Sequence, residues 1–416
     1  MRSIPLIIIG AGASGMAAAW EAAGTGCETL VLEHNKKCGR KLAATGNGRC
    51  NFTNARQEPS CYRSDTPGLA WEILQRFPQE KTLSWMHEIG ITPWQREGYY
   101  YPASGNASAV VHALEQGIRS RGVTISLEEE LIELVPEKGG WRVVTDREQY
   151  LARNVILAMG GMASPVHGTH GEVYHLLQQF GCRIITPLPA LTSLELKGDF
   201  MKGWTGVRTR GRVTLVQGKD QILSQDEGEL QMVAHGISGI PVFQVSRFAA
   251  RALEQGEKVS LYLDILPWME LPELEEELAY RAGHLAGRSL EQALEGLVHN
   301  KLARVCAQMA GLDPDGAVDA LTPARRNQLA ARMKSWKLGV SGISGFDKAQ
   351  VTSGGLALDE INPETMEIRR VPGIYAVGET LDVDGICGGY NLQWAWTTGI
   401  LAGKAASRNR GRGTDR

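Results

Sequence analysis

Three glycines, Gly10, Gly12 and Gly15, and a carboxylate at Glu33 are the residues whose types and spacing most directly imply chemistry. They stand in the run Gly10-Ala11-Gly12-Ala13-Ser14-Gly15, between the apolar stretch Leu6 to Ile9 and a small-residue stretch from Met16 toward Ala23. In a dinucleotide site the first glycine makes a tight turn, the second lets backbone approach a diphosphate, and the third lets a helix pack closely on a strand. The helix that follows offers unpaired N–H groups, here those of Ala13 and Ser14, to phosphate. Glu33 closes a second apolar run, Thr29 to Leu32, at about the distance expected of a ribose-binding acid. An acid there favours an unphosphorylated ribose, and FAD and NAD both satisfy the pattern.

A second constellation follows in Cys38-Gly39-Arg40-Lys41-Leu42-Ala43-Ala44-Thr45-Gly46-Asn47-Gly48-Arg49-Cys50-Asn51. Cations, glycines and amides in one segment read as a loop that wraps an anion. Arg40 and Lys41 are placed to neutralise a diphosphate, while Gly46 and Gly48 let backbone amides approach a flat ring that needs hydrogen bonds at its edge. Cys50 stands beside Arg49, but no second cysteine is spaced to form a dithiol, so it reads as a small packing residue. The seven cysteines lack CxxC spacing. That argues against a disulfide framework and a zinc ribbon, implies no metal site, and fits a reducing, cytoplasmic setting.

With these residues in view, the sequence resembles the aminoacetone oxidase-like FAD-binding oxidoreductases of bacteria, a family that includes an enzyme reducing dehydro-bile acids. The Gly39 to Asn54 run is its most distinctive signature. Further matches are Val155 to Gly161 with Ala158, Gly160 and Gly161, Gly236 to Pro241, Thr352 to Gly355, Gly373 to Gly385 with Gly378 and Glu379, and Gly388 to Gly399 with Gly389, Tyr390, Asn391 and Leu392. The matches run over essentially the whole chain in the same order. Met159, Ile368 and Val233-Ala234 depart from the family pattern; the last pair bears on the substrate side, so the resemblance speaks more for the cofactor than for a named substrate.

The resemblance implies FAD as cofactor, with NADH or NADPH docking transiently as donor. The backbone from Gly389 to Leu392, just before a closing helix, is then placed to hold developing charge at the flavin N1 and O2 edge. Glu379 is placed to accept from ribityl hydroxyls, and Leu131 to touch the adenine. Asn47, Arg49, Cys50 and Asn51 belong to the same cofactor shell. The catalytic candidates are Tyr390, His170 and Arg49, with Tyr390 and His170 as proton donors; His167 and His235 are considered beside them.

Positioning these residues requires an α/β fold. Alternating strands and helices up to about residue 187 predict a Rossmann-like domain with a mainly parallel sheet, resumed at 350–416. An inserted segment, 188–268 with 338–349, shows two-residue alternation in Arg212 to Val216 and Ser260 to Asp264, predicting a β-barrel-like subdomain. Residues 269–337 carry Leu, Ala, Glu and Arg at helical spacing, with Thr322-Pro323 as helix cap and first residue, predicting a helical subdomain.

The 416 residues, 43 % hydrophobic, suffice for packed cores, and the formal net charge of -2 gives no general attraction to nucleic acid or anionic membrane. The basic run 408–416 reads as a solvated tail. A small-molecule substrate and a monomer or homodimer are expected, with no transmembrane segment. The function expected first is reduction by NAD(P)H of a double bond conjugated to a carbonyl in a small hydrophobic, steroid-like ketone. The rivals are an amine oxidase producing hydrogen peroxide, an RNA-modifying flavoprotein, against which near-neutral charge counts, and a non-catalytic FAD-binding sensor.

Overall fold

The computed structural model describes residues 1–408, so the basic run beyond Arg408 lies outside the described residues. The chain divides into two compact units, Met1–Pro187 with the segment from Val351 onward, and Leu188–Gln350.

In the first unit, β1 (Arg2–Ile9) leads through the glycine turn into α1 (Ala13–Ala23) and then β2 (Thr29–Glu33). Both strands are rich in Ile, Leu and Val and are buried over their C-terminal halves, as expected of parallel strands covered on both faces. The segment Arg40–Gly48 forms α2, and two short strands, β3 (Pro93–Arg96) and β4 (Tyr99–Pro102), form a hairpin. β5 (Gln149–Leu157) and β6 (Ile374–Ala376) complete the parallel core, and α3 (Tyr390–Arg408) closes the unit. β1 lies between β2 and β5, with Thr124–Leu127 outside β2. β6 pairs with the C-terminal half of β5, while Gly140–Thr145 and then Leu131–Glu137 extend the sheet antiparallel beside its N-terminal half.

The two helices against this sheet meet through small residues. A Cβ on Gly399 would overlap the Ser14 carbonyl oxygen and one on Gly403 that of Ala18, so the axes of α1 and α3 approach only because both positions are glycine.

The second unit contains the expected barrel, closed. Leu194–Leu196, Gly236–Ser238, Gln221–Val233, Arg208–Gln217, Val259–Asp264 and Trp336–Ile343 pair in that order, and the last strand returns to the first. Its interior holds Leu215, Leu230, Leu261, Leu263 and Trp336. The strand-rich reading of 188–268 misses two helices, the single turn Met201–Trp204 and the longer Ile240–Glu254, which buries Val242, Val245, Ala249 and Ala252; the Gly239-Ile240-Pro241 entry of the longer one masks the helical period. Helices Leu271–His284, Leu290–Leu294, Asn300–Met309 and Pro323–Lys334 form the helical part, the last capped by Thr322. Among the described residues no helix is long and apolar enough to cross a membrane, and no cluster of three metal-ligating side chains occurs.

Candidate functional site

The C-terminal ends of β2, β1, β5 and β6 stand in a row, and the segments leaving them carry nearly all the residues singled out above. The glycine turn after β1 separates the three glycines by role. Gly10 has φ +102°, and a Cβ there would sit 2.5 Å from the Ala158 carbonyl oxygen; a Cβ on Gly15 would overlap the Gly10 carbonyl oxygen. Gly12, the N-cap of α1, has nothing within 4 Å of its Cβ position and no side-chain cap. Two glycines are thus demanded by packing, and the third faces open space at a helix N-terminus, which fits a diphosphate. Ser14 is buried behind this turn, its Oγ 2.7 Å from where a Cβ on Gly378 (φ +66°) would lie.

Glu33 is buried at the end of β2. Its Oε2 accepts from Ala11 N–H at 2.9 Å, and its Oε1 accepts from the Asn35 backbone and side-chain amides, both at 2.8 Å. Three donors occupy three of the about four acceptor positions of a carboxylate, leaving one for a ribose hydroxyl. The Glu129 amide donates to the Glu33 carbonyl oxygen at 3.1 Å, so partly buried Leu131, first residue of the strand Leu131–Glu137, lies two residues beyond the same adenosine end.

The segment expected to be a loop is helical at its start. Gly39 (φ +63°) caps α2, but Thr45 is extended, and Gly46, Asn47, Gly48 and Cys50 are all left-handed, at φ +59°, +54°, +81° and +59°. Glycine and asparagine tolerate that backbone, which is why the regular helix fails there. Gly46 to Arg49 are exposed, whereas Cys50 is fully buried and its thiol is pushed up to about 12 by burial, the state of a packing residue. With its amide nitrogen facing the Thr53 and Tyr100 carbonyl oxygens, the Asn51 side-chain oxygen accepts from Gly389 N–H at 3.3 Å. Gly389 (φ +93°) must be glycine, because a Cβ would sit 2.7 Å from Asn51.

Arg40 and Lys41, expected at a diphosphate, both have protein partners. Arg40 donates one guanidinium N–H to Asn35 Oδ1 and another to the Val166 carbonyl oxygen at 2.7 Å. Lys41 Nζ pairs with Glu379 Oε2 at 2.7 Å and donates to the Ala163 carbonyl oxygen at 3.1 Å. The other oxygen of Glu379 accepts from Thr352 N–H and Oγ1, at 2.8 and 2.9 Å, and Thr352 Oγ1 receives the amides of Met162 and Ala163. A Cβ on Gly161 would press into Glu379 and Thr352, and Gly160 lies beside Thr169. Thr352, Asn35 and Tyr174, whose hydroxyl donates to the Glu379 carbonyl oxygen at 3.2 Å, have no role in the sequence reading. Tyr174 and the Met162 and Ala163 amides bonded to Thr352 meet partners more than a hundred residues away in sequence, Thr352 meets Glu379 across 27, and Asn35 meets Glu33 and Arg40 locally but His167 across 132.

At the start of α3, Tyr390 is buried with its ring edge-on to Tyr62 at 5.6 Å. Burial and the neighbouring Cys61 push its phenol well above the usual range. Asn391 clasps the Gly385 backbone with both side-chain atoms, and Leu392 is partly buried. His170 is exposed, its backbone N–H bonded to Glu172; His167 has its imidazole pKa lowered by burial and by the Lys41 and Arg40 cations. His235 belongs to the second unit, where its carbonyl oxygen accepts from Leu196 N–H.

The family described as HI0933-like protein Rossmann domain matches residues 4–405. The 3-dehydro-bile acid delta(4,6)-reductase of Clostridium scindens is 38 % identical over 96 % of this chain and 98 % of its own length. The ribosomal RNA dihydrouridine synthase of Haemophilus influenzae is 30 % identical over 97 % and 98 %. Among solved structures, the 3-ketosteroid delta1-dehydrogenase from Sterolibacterium denitrificans superposes over 98 % of this chain and all of that one with TM-score 0.52 at 14 % identity, a likeness of fold.

Proposed function

From the premise that the chain belongs to the HI0933-like Rossmann family and is an FAD-dependent oxidoreductase, we propose that it saturates a carbon–carbon double bond conjugated to a carbonyl, with NADH or NADPH as donor. The observation that carries the reading is the 38 % identity, over nearly the full length of both chains, to a protein named as a delta(4,6)-reductase. The dihydrouridine synthases carry the same chemistry in their name, since dihydrouridine is uridine with its ring double bond beside a carbonyl saturated. When bound, FAD takes a hydride from the donor and passes it to the acceptor.

Each residue then has a task this chain's geometry supports. Gly12 and the α1 N-terminus receive the diphosphate, and Glu33 the ribose. The first amides of α3 would serve the flavin edge where negative charge develops, with Gly389, whose own N–H is bonded to Asn51, setting the entry to that helix. Tyr390, buried at the start of α3, is the candidate proton donor. The acceptor favoured by the near-neutral charge is a small, flat, hydrophobic ketone.

A second acceptor, a uracil ring in RNA, is favoured by the β3–β4 hairpin. Trp94 pairs with Tyr101 and Arg96 with Tyr99 across it, so all four side chains share one face, while Tyr100 turns the other way toward Phe52 at 6.4 Å. Trp94 is 51 % exposed with its ring 6.3 Å from Tyr101. Aromatic rings with an arginine form a stacking platform for unpaired bases. The hairpin also pairs with Thr53-Asn54, right behind Asn51 and Gly389.

Anaerobic stopped-flow absorbance at the flavin band, mixing holoenzyme with NADH, NADPH or aminoacetone, tests the reading. Bleaching by a nicotinamide, followed by reoxidation with an unsaturated ring ketone, is expected, and Tyr390→Phe should slow only the second step. Bleaching by the amine and fast peroxide-forming reoxidation in air would establish the oxidase instead. Trp94→Ala separates the acceptors: it should weaken turnover of a uracil-containing oligonucleotide by about tenfold, one stacked base, and leave that of a ketone unchanged.

A further inference from the structure

We propose that the segment 163–168, which follows β5, is a strap across the dinucleotide crevice, and that Asn35 and Arg40 are the positioning residues that latch it and set how long FAD stays bound. Because β1 lies between β2 and β5, any bond from the segment after β2 to the segment after β5 crosses the C-terminal end of β1, where the glycine turn opens. Ligands of such sheets bind in that crevice.

Several bonds make the crossing. Arg40 spans it with its planar fork, one N–H on Asn35 Oδ1 and another on the Val166 carbonyl oxygen. Asn35 Nδ2 donates to the His167 carbonyl oxygen at 3.2 Å and also to Glu33 Oε1 at 2.8 Å. Lys41 adds its bond to the Ala163 carbonyl oxygen and carries the bridge on to Glu379, beyond β6. The strap's shape is set by left-handed backbone at Ser164 (φ +58°) and Gly168 (φ +95°). Gly168 presses directly on the latch: a Cβ there would overlap His34 Nε2 and come within 2.7 Å of the Asn35 amide nitrogen. Val166 is 70 % exposed, so burial of its side chain does not hold the strap down; the bonds to its backbone do.

Asn35 joins the strap to the carboxylate that receives the ribose, so a ligand at Glu33 and the closed strap share one hydrogen-bonded residue. The guanidinium of Arg40 is spent on the protein and acts on the cofactor by closing the crevice over it. Arg40 makes its bonds at exposed positions, and the loss of two hydrogen bonds made by one charged, planar group changes an equilibrium by about tenfold.

The test is the rate at which FAD leaves the holoenzyme, read as flavin fluorescence after mixing with a scavenging apoflavoprotein. Arg40→Ala should release FAD about tenfold faster or more, and Arg40→Lys, with a single ammonium, should fall between it and the wild type. Gly168→Ala removes no charge and should also speed release, because its methyl group pushes the strap off the latch. Unchanged release in both variants overturns the proposal. Faster release in Arg40→Ala but not in Gly168→Ala also overturns it, since Arg40 would then be holding the diphosphate directly. Thermal melting of the apoproteins accompanies the measurement: matching melting temperatures with faster release support the latch, and a fall in melting temperature that accounts for the faster release overturns it. If Arg40→Ala does not fold, Gly168→Ala and Asn35→Ala carry the same test.

Discussion

Gly10, Gly12 and Gly15 are one residue type serving three ends, and substitution separates them. The Cβ of an aspartate at Gly12 has nothing within 4 Å, and its carboxylate places a negative charge at the mouth of α1, so Gly12→Asp should yield a folded protein without flavin. An alanine at Gly15 has the opposite fault. Its methyl group overlaps the Gly10 carbonyl oxygen, so Gly15→Ala should cost about 1–3 kcal/mol of stability, as overpacking does. Flavin absorbance and thermal melting check both, and full flavin content in Gly12→Asp would remove this turn from the cofactor site. The glycine roles were legible in the sequence because they depend on neighbours within the turn and on strand and helix at fixed offsets. The partners of Arg40 and Lys41 were not. Val166 lies 126 residues from Arg40 and Glu379 lies 338 from Lys41, and no local pattern reports who meets across such distances.

At the scale of elements, α1 and α3 show how far a helix can be read and where reading stops. The small-residue run after Gly12 announces α1, and the run after Gly389 announces α3, but that the two lie against each other follows only from Gly399 and Gly403 facing the Ser14 and Ala18 backbones. Gly399→Leu should therefore destabilise the first unit by several kcal/mol, about that of a severe core overpacking, and lower flavin content with it, since the α1 N-terminus would shift. Urea titration followed by flavin fluorescence measures this, and an unchanged midpoint would contradict the packing. The α2 segment reads as loop because Gly46, Asn47 and Gly48 cluster at its end and mask the helix formers Arg40 to Ala44 ahead of them; the helical start forms because Gly39 caps it in a left-handed conformation and Leu42 is buried. The helix Ile240–Glu254 was missed for the converse reason, a turn-like Gly-Ile-Pro entry ahead of a clear apolar stripe.

For the whole molecule, alternation and composition were enough to foresee an α/β sheet, a barrel and a helical part, because each depends on a period that repeats over many residues. What they could not give is which strands neighbour one another. Two units with separate hydrophobic cores imply two unfolding events, only one of which the cofactor governs. Calorimetry should show a transition that rises by about 4 kcal/mol of stabilisation when free FAD reaches a thousand times its dissociation constant, and one that does not respond. A single transition that moves as a whole would mean the units unfold together.

The division of the first unit between the two ends of the chain has a consequence for its birth on the ribosome. The glycine turn, Glu33 and Arg40 emerge early, but Glu379 and the whole of α3 come only after the 163 residues of the second unit have been made. Until then Gly10 to Ala18 lacks the helix that covers it, and Lys41 lacks its carboxylate. The barrel, complete within one continuous stretch, can fold while the flavin unit is still waiting for its last strand, so synthesis itself orders the events: insertion first, cofactor site last.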